Sequence, residues 1–183
     1  MVLLESITIP LGTKMPDFEL KDPQDKKYKG SQLYGERGLL INFTCNHCPY
    51  ALAVWPRFIR LASYAKQLKI NTLAINPNIN PNYPDDSPEK MKEKIKELGI
   101  DFPYLVDETQ KIARQFKAQC TPDIYLFNKT HELVYHGRID DNWQDERKIK
   151  REELKEALNN LATSQPIDQN QKPSLGCSIK WVQ

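Results

Sequence analysis

Apolar positions fall into short blocks separated by polar, turn-forming stretches, and two periods alternate along the chain. Gly38-Leu39-Leu40-Ile41-Asn42-Phe43 is almost continuously apolar and reads as a short buried strand. Residues 49–68 then carry Leu52, Trp55, Ile59, Ala62 and Leu68 at helical spacing. Pro56 lies inside this run and is expected to kink or divide the helix, since proline lacks the N–H donor and clashes with the preceding turn. Residues 69–75 predict the next strand. Residues 76–88 are rich in Asn, Pro and Asp and predict a loop, either a functional rim or an insertion. Ser87 is placed to cap a helix over 88–98, which Gly99 closes.

The same alternation continues. Residues 102–106 predict a short strand, and 108–116 a helix with Ile112, Ala113 and Phe116 facing inward. Residues 124–127 are a strongly apolar strand, joined through a turn at 128–131 to a hairpin partner at 132–137. A helix over 148–162 sets Leu154, Leu158 and Leu161 on one stripe. Ahead of all this, Asp17-Phe18-Glu19-Leu20 alternates polar and apolar, residues 21–26 supply turn chemistry, and Lys27-Tyr28-Lys29 returns. Residues 1–30 are thus expected to form an N-terminal hairpin extension. Residues 163–183 read as an irregular tail that docks in part through Leu175, Ile179, Trp181 and Val182.

The order of elements is a hairpin, then β-α-β-α-β-α, then a second hairpin and a closing helix. That order predicts an α/β fold with helices on both faces of a mixed sheet. At 183 residues the chain fits one domain spanning 1–183. A net charge of +2 gives no ground for a nucleic-acid partner or a membrane-binding face, and no apolar run approaches the ~20 residues of a spanning helix. The N-terminal residues lack the basic and apolar regions of a secretory signal, so a cytoplasmic setting is expected. Structural disulfides are rare there, which makes a CxxC catalytic or metal-binding.

Such a pair sits between the buried strand and the first long helix, in Cys45-Asn46-His47-Cys48-Pro49-Tyr50. Thiolates are the nucleophiles of disulfide and peroxide chemistry, and unpaired N–H groups at a helix start stabilise them. Cys45 is therefore expected at or just before the first helical turn, with a depressed pKa, and Cys48 as the resolving thiol. His47, if protonated, would favour the thiolate. The competing reading is half of a zinc site completed by His47, Cys120 or Cys177. Adjacent His47 and Cys48 do not easily bind one metal together, and the sequence has no second CxxC or HxxxH, so neither a metal nor a cofactor is expected.

Four stretches together resemble the redoxin (AhpC/TSA-type) group of the thioredoxin-like superfamily: Pro16-Asp17-Phe18-Glu19-Leu20, the strand over 39–43, Cys45-x-x-Cys48-Pro49, and Thr121-Pro122-Asp123-Ile124-Tyr125-Leu126-Phe127. The Cys-Asn-His-Cys-Pro-Tyr stretch and the Gly176–Trp181 ending are similar to the peroxiredoxin-like branch of that group. The resemblance implies a thioredoxin-like fold in which Pro122 is a cis-proline packed against the CxxC, with Thr121 before it pairing with a substrate chain. Cys120 then comes close to the dithiol, as a further redox thiol or a buried bystander. Cys177 becomes a third redox thiol if the tail folds back over the site.

Peroxiredoxins use Pro-x-x-x-Thr-x-x-Cys. With Cys48 in the peroxidatic place, Cys45 stands where the threonine belongs and Ile41 where the proline belongs. Gln119-Cys120-Thr121-Pro122 replaces the expected arginine; Arg60 or Arg138 could substitute for it, although both read as solvated surface charges. These departures favour dithiol–disulfide exchange, with Cys45 attacking, Cys48 resolving and His47, Thr121 and Pro122 in support. A thiol peroxidase with an antioxidant role and a non-enzymatic redox sensor remain the alternatives. The expected partners are protein or small-molecule disulfides and thiols, with peroxide as a further candidate, and an external thiol as electron donor. Trp55 reads as a core or rim aromatic, His131 and His136 as surface residues, and Asp140-Asp141 as solvated.

Overall fold

The structure, a computed structural model, describes residues 2–182. Met1 and Gln183, the outer ends of the expected extension and tail, lie outside the described residues. Strand β1 (Leu3–Glu5) comes first and was not foreseen, since three half-exposed residues carry no readable period. A hairpin follows, β2 (Glu19–Lys21) with β3 (Lys27–Lys29), its turn held by Asp22 Oδ1 accepting the N–H groups of Gln24 and Lys26. The central strand β4 (Gly38–Phe43) is buried at every position. Leu39, Ile41 and Phe43 face one side and Leu40 the other. At ~1.5–3 kcal/mol for each fully buried large side chain, this strand can sit only at the middle of the sheet.

Helix α1 (Pro49–Gln67) runs unbroken through Pro56. The hydrogen bond that Pro56 forfeits would have gone to the carbonyl of Leu52, and both residues lie on the exposed side, so the helix survives. The buried stripe is Ala51, Val54, Trp55, Phe58, Ala62 and Ala65, turned from the expected one: Leu52 is exposed and three alanines are buried. Strand β5 (Ile70–Asn76) leads into the polar loop, and α2 (Pro88–Leu98) begins where Ser87 Oγ accepts the Lys90 N–H and ends at Gly99, whose φ of +64° is left-handed.

The chain continues through β6 (Tyr104–Val106), α3 (Lys111–Gln115), β7 (Cys120–Thr121), β8 (Asp123–Asn128), β9 (Leu133–Gly137), α4 (Glu153–Ala162) and β10 (Leu175–Ser178). Helix α4 starts five residues later than its pattern predicts: Asp145 caps a separate 3-10 turn at Glu146–Lys148, and Asp141 takes the Lys150 N–H.

Seven strands form the main sheet in the order β3-β2-β6-β5-β4-β8-β9, with β4, β5 and β6 parallel and the remaining pairings antiparallel. Residues of α1, α2 and α4 cover one face and α3 the other, giving the mixed, two-sided α/β layering expected. The outer edge of β9 is wrapped: Leu133 exchanges bonds with Gly12 and Thr13, and Gln171 and Lys172 accept the N–H groups of His136 and Arg138. A second, three-stranded sheet, β1-β10-β7, crosses the end where β4 gives way to α1.

Candidate functional site

Phe43 ends β4, and the Thr44 N–H still bonds to Ile75 O at 2.9 Å, so the dithiol loop leaves directly from the sheet. Pro49 takes the first helical position, its preset φ suiting that place, and Cys48 is therefore the residue that caps α1. Cys45 sits three residues ahead of the cap, not at the first turn. The Ala51 N–H, one of the donors a helix start leaves unpaired, is thus offered to Cys48.

The acidities follow. Cys48 is pulled down from the usual thiol value to about 5, first by the hydrogen bond from the Cys45 thiol, against the opposing effect of burial. The Cys177 thiol and the backbone N–H groups of Ala51 and Cys177 add to the pull. Cys45 is pushed the opposite way, chiefly by burial, then by the neighbouring Cys48 and the Asp86 carboxylate. The shift expected for Cys45 thus falls on Cys48: Cys48 is the thiol pulled toward its thiolate form, and Cys45 is the one that burial holds toward its protonated form. In its thiol form Cys48 donates to Thr121 O at 3.1 Å, and Cys45 Sγ lies 3.2 Å from Thr121 Oγ1. Both sulfurs are fully buried, at 0% exposure.

The loop is held by a residue that sequence reasoning passed over. Asp86, fully buried in a 3-10 turn at Pro84–Asp86, accepts the Asn46 N–H at 2.6 Å and the Asn76 side-chain amide at 3.0 Å through Oδ1, while Oδ2 pairs with His47 Nδ1. Asn46 is clamped further by Tyr104 O–H at 3.1 Å and by its own amide on Asp85 O at 2.9 Å. The polar loop over 76–88 is therefore the rim of the site. The single legible signal was an acidic residue directly before the Ser87 cap. Among the described residues Cys45, His47 and Asp86 also form the one group with metal-ligand chemistry, their ligand atoms lying within 4.8 Å of one another. Asp86 already accepts three hydrogen bonds there, and through them it anchors the loop.

Thr121–Pro122 is a cis peptide, as the resemblance implied. β10 pairs antiparallel with β7, Cys177 opposite Thr121 and Ser178 opposite Cys120. Directly opposed residues share a face and neighbours alternate, so Cys177 is turned toward Cys48 and Cys120 away. Cys45, Cys48, Ala51 and Cys177 pack as one buried cluster. Cys120 bonds instead to Pro122 O at 3.6 Å, and burial pushes its pKa well up. No two cysteines are bridged.

Other placements differ from expectation. His136 is buried, its Nε2 2.9 Å from Asp123 Oδ1 and its ring stacked on Tyr125 of the neighbouring strand. Asp140 is buried against Arg57 at 3.2 Å. His131 lies in its turn, stacked on Tyr34, and Trp55 is a core residue whose Nε1 donates to Cys45 O. Arg60 pairs with Glu146, and Arg138 with Glu153 at 2.9 Å, so both candidate peroxide-binding cations are engaged elsewhere.

A mixed sheet between helices, with a cysteine capping the helix after the central strand and a cis-proline strand beside it, defines a thioredoxin-like redox protein of the redoxin group. The family profile described as AhpC/TSA family matches residues 11–136. The chain belongs to the AhpC/TSA family. An uncharacterized conserved protein from Geobacillus kaustophilus is 39% identical and superposes with a TM-score of 0.94 over 100% of this chain and 97% of its own. Peroxidoxin BcpB from Mycobacterium tuberculosis aligns at 16% identity and TM-score 0.62, covering 85% of this chain and 98% of its own. A thiol-disulfide oxidoreductase from Bacteroides fragilis aligns at 21% and TM-score 0.55, over 68% and 89% respectively. These last two likenesses are of fold. Among curated proteins none matches. No helix among the described residues is long and apolar enough to cross a membrane.

Proposed function

We propose that the chain is a thiol–disulfide oxidoreductase working through the Cys45-x-x-Cys48 dithiol, with Cys48 attacking and Cys45 resolving. The observation that carries this reading is the pair of sulfurs at the α1 start, where Cys48 receives the Cys45 hydrogen bond and the Ala51 N–H. The attacking thiolate forms a bond to one sulfur of a disulfide and expels the other as a thiolate. Cys45 then attacks Cys48 Sγ, closing the internal disulfide and releasing the second thiol. Asp86 holds His47 and Asn46 in place, and Thr121 orients Cys45 through its hydroxyl. An external thiol resets the pair, and the reducing cytoplasm is the setting that keeps such a dithiol reduced.

Exchange with oxidised glutathione tests it. Cys48→Ser should lose exchange entirely, whereas Cys45→Ser should still form a mixed disulfide at Cys48. Full exchange in Cys48→Ser refutes the assignment. One observation favours thiol peroxidation as a second reading: both sulfurs are at 0% exposure, which admits a small hydroperoxide more readily than a protein chain. Consumption of hydrogen peroxide far faster than glutathione exchange, with a sulfenic acid trapped at Cys48, would select that reading.

A further inference from the structure

The chain's own strand β10 lies on the edge of β7, with Gly176-Cys177 against Thr121 and the cis-proline. The fit is close: a Cβ at Gly176 would stand 2.1 Å from Thr121 O and 3.1 Å from Pro122 N. β10 is also tied down on every side. Ser178 N–H bonds to Val2 O at 2.9 Å, Ile179 N–H to Gln119 O at 3.0 Å, Lys180 N–H to Asn78 Oδ1 at 2.8 Å, and Ser174 N–H to Ser6 Oγ at 2.9 Å. An extended protein substrate cannot pair with the edge of β7 that this strand occupies. What β10 presents at that edge is a thiol, turned toward Cys48 and packed with it and Cys45 in one buried cluster.

We propose that β10 is a tethered internal substrate: Cys177 is a third redox thiol that resolves Cys48 as a Cys48–Cys177 disulfide, and the external oxidant is a low-mass disulfide. The inference rests on Cys48 being the attacking thiolate. With a disulfide RSSR, Cys48 forms Cys48–S–S–R and RS⁻ leaves. Cys177 gives up its proton and attacks Cys48 Sγ, the S–S bond to R breaks, and the second RS⁻ departs. Two protein thiols lose two electrons and two protons, and RSSR becomes two RSH. Lys180 beside Cys177 favours its thiolate, although burial pushes that thiol up to about 12 overall. Cys45, deeper and bonded to Thr121, is the competitor for the same sulfur, and the two neighbours make Cys48 a branch point.

The test uses the full-length chain. Wild type, Cys45→Ser, Cys45→Ala and Cys177→Ser are each treated with one equivalent of oxidised glutathione, quenched, alkylated and mapped by mass spectrometry, with folding checked by circular dichroism. The expected result is a Cys48–Cys177 crosslink and release of two glutathiones per chain in either Cys45 variant. Cys177→Ser should lose that crosslink and keep Cys45–Cys48. Arrest of both Cys45 variants at a Cys48–glutathione mixed disulfide, with one glutathione released, overturns the role of Cys177 and leaves the dithiol reading standing. A Cys48 that takes up no glutathione in any form overturns both. Should neither Cys45 variant fold, the wild type decides: a Cys48–Cys177 peptide in its oxidised population supports the proposal, and its absence overturns it.

Discussion

Replacing Asp86 by alanine removes the carboxylate on which the whole dithiol loop hangs. Two neutral donors lose their acceptor, the Asn46 N–H at 2.6 Å and the Asn76 amide at 3.0 Å, and both lie in the buried interior. At ~1–3 kcal/mol for each buried donor left unpaired, the two together should cost roughly 2–6 kcal/mol, a large share of the ~5–15 kcal/mol of a typical fold. A chain of this size moves ~2–4 °C in Tm per kcal/mol, so the midpoint should drop on the order of 10 °C. Asp86→Asn, which keeps one acceptor oxygen, should lose less. Ser87→Ala, one residue on, removes only a helix cap at ~1 kcal/mol and serves as the control. The change also reaches the chemistry, since the Asp86 charge helps hold the Cys45 pKa up. Thermal and urea unfolding of the reduced proteins measure the first effect, and pH-dependent alkylation of Cys45 the second. An Asp86→Ala protein within 1 kcal/mol of wild type, with Cys45 alkylating as before, would refute the anchoring role.

Two further outcomes are expected. The fold pulls the Cys48 thiol down from the ordinary 9.0 to about 5, so the native state is expected to bind fewer protons than the unfolded chain between those values. The stability it contributes is complete above pH 9.0 and is lost as pH falls through about 5, while Cys45, shifted upward, opposes it at high pH. Unfolding at several pH values should show this slope in wild type and not in Cys48→Ser, and an unchanged slope would count against the assignment. Gly176→Val drives a side chain into Thr121 O and should loosen β10. Each 1.4 kcal/mol lost there raises the open population about tenfold, read as faster Cys48 alkylation at neutral pH, and an unaltered rate would show that β10 does not cover the thiol.

The sheet and its helices were legible because they depend on patterns that sequence carries directly. β4 is apolar throughout, α2 has both its serine cap and its glycine stop, and the β8–β9 hairpin is marked by a polar turn. The site was legible in its residue types, since Cys45, Cys48, Thr121 and Cys177 do converge. Their division of labour was not. The division of labour proposed above turns on which residue caps α1, and Pro49, by claiming the first helical position, moves the cap to Cys48. Asp86, His136 and Asp140 were misjudged or missed for one shared reason. A polar residue in a loop or at a strand end reads as solvated, and only tertiary packing shows that Asn46, Asp123 and Arg57 await them. β10 escaped because a four-residue strand with a glycine and a cysteine at its centre has no period to detect.

The two margins of the main sheet bear on how the chain behaves in concentrated solution. A strand margin with open main-chain groups invites another copy to zip on, and runaway association starts that way. Here the β9 margin has its amides taken by residues 12–13 and 171–172. The β3 margin carries Lys27 and Lys29 astride Tyr28, with Glu19 across from them. An approaching identical margin would set lysine against lysine. One side of the sheet is sealed and the other is electrically guarded, so copies of the chain are kept from stacking edge to edge while the interior stays as apolar as the core demands.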